Sequence, residues 1–230
     1  MAVLRYFGHS AFEVRLTGLD GLEKRILIDP WISNPLSPMS PMDYARRAGR
    51  INYIFITHDH GDHIGDSEAI ARETEATIVT IYDLAAELEA RGLKAVGANI
   101  GGRISLNDLF AVLTPAIHSS QTGSPVGVIV GGRDVRIYHA GDTGLFSEME
   151  FIGRLYKPNI ALLPIGGHFT MGVEEASIAV ELIKPEIVIP MHYNTFPVIV
   201  ADPVKFKELV ESKAKVKTAV LKPGEELIYP

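Results

Sequence analysis

The segment Thr57-His58-Asp59-His60-Gly61-Asp62-His63 places three imidazoles and two carboxylates within seven residues. Neutral imidazole is a ligand for zinc, iron, nickel or manganese, and carboxylate adds a harder oxygen donor. Residues two apart in an extended segment point the same way, so His58 and His60 are placed to share one ion. Gly61 permits a tight bend, which would turn Asp62 and His63 toward a neighbouring ion. A solvated polar loop has no use for so dense a set of ligands.

Four further residues have a similar setting. His118 follows Thr114-Pro115-Ala116, just past a strand pattern. Asp142 lies in His139-Ala140-Gly141-Asp142-Thr143-Gly144, His192 in Pro190-Met191-His192-Tyr193, and His168 after Gly166-Gly167. Singly, each reads as a polar residue with a structural role; beside the first motif, they complete a ligand set. The chain has no cysteine, so disulfides, thiolate nucleophiles and thiolate ligands are excluded, and any metal is held by nitrogen and oxygen. Asp29 either accepts the second N–H of a ligating His or closes an Asx turn with Pro30. His139 reads as a supporting or buried structural residue, not a ligand. Trp31 reads as core, with a pocket wall as the alternative.

The elements that must position these residues alternate. Ala2–Phe7, Ala11–Leu16 and Arg25–Ile28 have strand patterns, and residues 31–41, rich in Pro and Ser, read as an ordered loop. Asn52–Thr57 is a short apolar run, expected to be a buried strand feeding straight into His58. Helix is expected over Ser67–Thr74 and Leu84–Arg91, and strand over Thr77–Ile81, Phe110–Thr114, Val126–Val130 and Val135–Tyr138. A faint repeat follows. Lys157-Pro158-Asn159-Ile160 leads through a strand to Pro164, and Lys184-Pro185-Glu186-Ile187 through another to Pro190. Between them a helix carries Ala176, Ala179, Val180 and Ile183 on one face. Asp202-Pro203 starts a last helix with an N-cap and Pro at its first position. Most of the candidate ligands thus fall at strand ends, as α/β proteins deliver site residues.

Composition bounds the function. The 230 residues are 47% hydrophobic and 22% charged, enough for a full core, and residues 1–230 read as a single domain. The net charge of −6 and the lack of basic runs make a nucleic-acid surface unexpected. A small-molecule substrate is expected instead, and an anionic one is compatible because bound metal reverses the local charge. No segment has the length to span a membrane, and MAVLRYFGHSAF lacks a signal-peptide layout, so a cytoplasmic location is the default expectation. The absent Cys and single Gln121 hint at a thermophilic source. Assembly into homo-oligomers is left open.

The string THDHGDH resembles the HxHxDH signature of the metallo-β-lactamase superfamily, and the later HS, HAGDTG and PMHYN segments are similar to its remaining ligand motifs, in the same order. The resemblance covers essentially the whole chain. It implies an α/β four-layer αββα sandwich with the site at one edge of two sheets. It also implies two divalent ions, zinc first, with manganese, nickel or iron as alternatives. His58, His60 and His118 would hold the first ion, Asp62, His63 and His192 the second, and Asp142 would bridge them. YFGHSAFEV, DPWISNPLSP, PIGGHFTMG and IPMHYNTFP resemble a branch of uncharacterised metal-dependent hydrolases related to ascorbate-6-phosphate lactonase. In that branch the early His and the GGxFTMG loop lie near the metals.

The implied activity is hydrolysis of a small ester-like bond, lactone or phosphodiester, by a hydroxide bridging two metals. Asp62 would serve that centre, and His168 or His9 would supply the proton to the leaving group. Gly166-Gly167 and Gly8 give their loops freedom to approach a substrate. Two other classes compete: a diiron redox protein, separable by metal analysis and spectra, and a metal-stabilised binding module, disfavoured by the intact ligand set.

Overall fold

The computed structural model describes residues 1–230. Its first half opens with strands β1 (Ala2–Gly8), β2 (Ala11–Thr17) and β3 (Glu23–Ile28), paired antiparallel. After helix α1 (Pro41–Ala48), the strands β4 (Tyr53–Phe55), β5 (Thr77–Ile81) and β6 (Ala95–Ala98) add in parallel to β3. Helices α2 (Gly61–Ile64), α3 (Ser67–Thr74) and α4 (Tyr82–Ala90) join them.

The second half repeats the plan. Strands β7 (Arg103–Leu106), β8 (Leu109–Pro115), β9 (Val126–Gly131) and β10 (Arg136–His139) pair antiparallel. Strands β11 (Ile160–Pro164), β12 (Ile187–Met191) and β13 (Lys217–Thr218) continue in parallel, linked by α5 (Met149–Tyr156), α6 (Val173–Ile183) and α7 (Pro203–Lys213). The last strand, β14 (Glu226–Tyr229), returns to pair with β1.

The result is two seven-stranded mixed sheets with helices on their outer sides, the α/β four-layer αββα sandwich expected. Period-two patterning builds it. Along β11 and β12, Ile160, Leu162, Ile187 and Ile189 enter the core between the sheets, while Ala161, Leu163 and Val188 face α5, α6 and α7. These strands are buried on both faces and so read as continuous apolar runs. No helix is long and apolar enough to cross a membrane.

Local signals explain where the elements differ from expectation. Ser40 caps α1, its Oγ accepting from the Asp43 N–H at 3.1 Å, so the loop over residues 31–41 ends at its Ser. The strand expected over Asn52–Thr57 is only Tyr53–Phe55, because the chain leaves the sheet early to present His58. Strands β6 and β7 and helix α5 carry no clear pattern in sequence; partners in the sheets and the outer layer recruit them. The repeat is real: β11 and β12 lie side by side, but Pro164 pairs with Met191, not with Pro190. Lys157 and Lys184 occupy equivalent left-handed positions at the ends of α5 and α6. Asp202 caps α7 as expected, accepting from Val204 N–H at 2.8 Å with Pro203 following.

Candidate metal centre

One rim of the sandwich gathers the ends of β1, β3, β4, β8, β10 and β12. From them come His9, Asp29, His58, His118, Asp142 and His192. Backbone strain concentrates here. His9, Asp29 and His192 have φ of 56°, 44° and 55°, a region where a non-glycine residue costs about 1–2 kcal/mol. Gly141, at φ 61°, lets the chain turn against β9; a Cβ there would come within 2.6 Å of the Val126 carbonyl oxygen. These conformations aim side chains inward, where relaxed strand ends would point them at solvent.

The first cluster is His58, His60 and His118. His58 Nε2 and His118 Nε2 lie 2.9 and 3.3 Å from His60 Nδ1. Three imidazole nitrogens facing one another cannot all be satisfied by shared protons, so a cation among them fits the donor set. Burial, then the nearby His63, lowers the His58 pKa to about 3. Its lone pair is therefore free at neutral pH, as a ligand requires.

The second cluster holds His63, His192, Asp62 and His9. Asp142 stands between the clusters. Its Oδ2 is 3.0 Å from His192 Nε2 and 3.5 Å from His118 Nε2, and its Oδ1 is 3.2 Å from His63 Nε2. Yet His63 Nε2, His192 Nε2 and Asp142 Oδ1 are buried without a hydrogen-bond partner. Orphaned polar atoms at one point in a core are costly unless something coordinates them, and divalent metal fits nitrogen and carboxylate donors so placed. Burial alone would raise Asp142, but His63 and His192 outweigh it and hold the carboxyl well below its usual range. Burial would likewise lower His63; Asp142 and Asp29 reverse that and raise it well above the usual value.

A supporting layer fixes the candidate ligands. Asp29 is fully buried and accepts from Thr57 N–H at 2.8 Å, Thr57 Oγ1–H at 2.7 Å and His63 Nδ1–H at 2.7 Å. That places the His63 proton on Nδ1 and leaves Nε2 facing Asp142, so of the two readings of Asp29 the support of a His holds. Asp59, inside the motif, accepts from Ser120 Oγ, Gln121 N–H and Thr122 N–H at 2.9, 2.9 and 2.7 Å. It anchors the loop that carries His118. Thr143 Oγ1 accepts from the Ile117 N–H at 2.9 Å on the other side of that loop. His139 donates from Nε2 to the Ser10 carbonyl at 2.9 Å and accepts from Gly141 N–H at 3.1 Å, tying the His9 turn to the Asp142 turn. The sequence did not single out Asp59 or Thr143; the only signal was Asp59's place between two candidate ligands.

The two imidazoles considered as proton donors part company. His9 is buried in the second cluster, its Nε2–H 3.0 Å from Asp62 Oδ2 and its Nδ1 2.8 Å from Thr195 Oγ1. Burial, partly offset by the bond to Asp62, lowers its pKa to about 4, so it is neutral and its one N–H is committed to Asp62. His168 is not gathered into either cluster. It is exposed at φ 59° on the loop after β11, its ring edge-on to Phe169 at 4.4 Å. Met171 N–H binds the Thr143 carbonyl at 2.9 Å, so that loop still borders the Asp142 turn. Gly61 needs no special backbone, because the single-turn helix α2 swings Asp62 and His63 inward. Trp31 is half-buried beside His9, ring centroids 5.2 Å apart, and is a wall of the site, not core.

Paired mixed sheets with a His/Asp cluster at one rim define the metallo-β-lactamase fold. Comparison with known proteins agrees: residues 24–193 match the beta-lactamase superfamily domain. A UPF0173 metal-dependent hydrolase of Thermofilum pendens is 61% identical over 230 residues, covering 100% of both chains, and one of Staphylothermus marinus is 62% identical with the same coverage. The structure of Igni18, described as a novel metallo hydrolase from the hyperthermophilic archaeon Ignicoccus hospitalis, superposes with a TM-score of 0.92 at 49% identity, covering 98% of this chain and 97% of that one. The chain belongs to the beta-lactamase superfamily and, within it, to the family of UPF0173 metal-dependent hydrolases.

Proposed function

We propose that residues 1–230 act as one domain that hydrolyses a small ester-like bond, a lactone or a phosphodiester, at a pair of divalent ions. One observation carries this reading: the unpartnered buried donors of His63, His192 and Asp142, continuous with the three-imidazole cluster. His58, His60 and His118 would hold one ion, Asp62, His63 and His192 the other, and Asp142 both. Ions so held lower the pKa of water toward about 7 and polarise the bond under attack. Zinc suits the donor set best, with manganese, nickel and iron as alternatives.

The chain's own groups then have separate tasks. Asp29 takes the Nδ1–H of His63 and so leaves Nε2, beside Asp142, as the nitrogen that would bind an ion. His9 holds Asp62 through its Nε2–H. The leaving group's proton is assigned to His168, an exposed imidazole on a loop bordering the Asp142 turn, whose positive φ marks a constrained position. The resemblance of motifs such as PIGGHFTMG and IPMHYNTFP to hydrolases related to ascorbate-6-phosphate lactonase makes lactones the first substrates to try.

The test is element analysis of protein purified without chelator, with a panel of lactones and phosphodiesters assayed with added Mn²⁺ and Zn²⁺. Two ions per chain and hydrolysis abolished by chelation are expected. Full activity in metal-free protein refutes the reading.

A further inference from the structure

The rim that carries the candidate ligands has an apolar side. Trp31 and Phe196 come from different loops, and both rings lie against His9, with centroids 5.2 and 5.5 Å away. The two rings are nearly parallel, 22° apart with centroids at 5.8 Å, and both residues keep part of their surface in solvent. The backbone that carries each ring is held. The Trp31 backbone rests on Gly65, where a Cβ would come within 2.6 Å of Trp31 Cα. The Phe196 carbonyl accepts from Ile199 N–H at 3.2 Å and so opens a short 3-10 turn, Pro197–Ile199. Across the ligand set, Ile117 adjoins His118 and is 59% exposed although its N–H is pinned by Thr143. Apolar groups fixed and exposed beside a polar centre mark a binding surface.

The charge of that rim is one-sided. Residues 26–45, 51–71, 104–132, 137–153, 158–183 and 185–204, which contain nearly all of its loops, include no Lys or Arg. Lys205, just beyond the last of these segments, pairs with Glu174 at 3.4 Å, and Arg91 pairs with Glu68 at 2.7 Å. The N-terminus of α6, which follows the His168 loop, is capped by its own Glu175, whose Oε2 accepts from Gly172 N–H at 3.1 Å. A phosphate or carboxylate remote from the scissile bond is recognised most strongly by guanidinium or ammonium, and these rim segments carry neither.

We infer that the substrate carries an uncharged apolar group, aromatic or branched, which packs on Trp31 and Phe196 while its ester-like bond lies at Asp142. The inference rests on the hydrolytic reading of the centre and narrows its substrate class away from sugar phosphates. Burial of a phenyl group on two aromatic rings strengthens binding by about tenfold or more.

Trp31 is the sole tryptophan, so the fluorescence of the full-length, metal-loaded protein reports this surface directly. The probes are 3-phenylcyclopentanone, a lactone analogue that cannot be hydrolysed, then cyclopentanone and glucose 6-phosphate. The phenyl ketone is expected to bind at least about tenfold more tightly than cyclopentanone, and Phe196→Ala to reduce that ratio to about threefold or less. Equal binding of the two ketones by the parent protein, or tighter binding of glucose 6-phosphate, overturns the inference. If the substrate panel shows no hydrolysis while Trp31 still ranks the probes as expected, the apolar site stands and the hydrolytic reading falls. If lactones are cleaved and the phenyl group gives no advantage, the reverse holds.

Discussion

Replacing Asp29 by Asn changes the centre without touching a candidate ligand. The carboxylate is fully buried and accepts three hydrogen bonds, one of them from His63 Nδ1 at 2.7 Å. Burial would raise its pKa, but the charge and hydrogen bond of His63 outweigh this, so it is ionised in the parent protein. In Asp29→Asn, the amide oxygen can still accept from Thr57 N–H. The amide NH₂ then faces His63 Nδ1, which must accept, and the imidazole proton moves to Nε2. That atom lies 3.2 Å from Asp142 Oδ1, so it would donate to the carboxylate in place of offering a lone pair. Loss of such a supporting partner typically lowers metal affinity about 10–100-fold, or about 1.4–2.7 kcal/mol. The assay is competition with a fluorescent chelator, resolving the two binding steps. The step that depends on His63 and His192 should weaken by that factor, and the step of His58, His60 and His118 should change less. Folding should fall by about 1.5–3 kcal/mol, the value of a charge-assisted hydrogen bond, measured by urea unfolding. Parental affinity at both steps in a folded variant would refute the argument that Asp29 sets the His63 tautomer.

Asp59→Ala removes the acceptor of Ser120, Gln121 and Thr122 and should free the His118 loop. Loss of affinity at the first step of about tenfold or more is expected, with faster amide exchange at Gln121 and Thr122 as the structural readout. In chelated protein, acid should destabilise the fold. His58 and His9 have pKa values of about 3 and about 4 against an ordinary 6.5, so below pH 6.5 the unfolded chain takes up protons that the native chain refuses. The stability that each provides is present above 6.5 and falls by about 1.4 kcal/mol per pH unit between 6.5 and its folded value. His63, whose pKa is raised, contributes its stability in full below 6.5 and loses it only as the pH rises above that value, so it does not oppose this. An unchanged urea midpoint between pH 6.5 and 5 would contradict the burial argument. His168→Ala should leave metal content intact and cost about 10²–10⁴-fold in rate, more for poor leaving groups than for good ones. Loss of metal, or equal loss on both kinds of substrate, would remove His168 from the donor role.

Much of this protein was legible in order along the chain. Of the seven candidate ligands, His58, His118, Asp142 and His192 come just after strand patterns, where a buried backbone hands side chains to a cleft, and His60, Asp62 and His63 continue the motif that begins at His58; strand pattern and imidazoles are both local features. The four-layer sandwich was legible only through the resemblance of the motifs to the metallo-β-lactamase superfamily; runs such as IALLP and IVIPM agree with it, being strands covered on both sides. What no local pattern carries is the partnership of distant residues. Asp29 finds His63, and Asp59 finds Gln121, across folded rather than sequential distance. The same limit governs the two extra histidines. His9 and His168 each follow a glycine, look alike in the sequence and share a positive φ, yet the end of β1 lies inside the cluster and buries His9 against Asp62, while the loop after β11 leaves His168 in solvent. The sequence by itself determined which atoms are available as ligands and the strand ends that present them. Tertiary structure alone decided which carboxylate orients which imidazole, because hydrogen bonds of under 3 Å depend on the packing of whole sheets and not on neighbours in the chain.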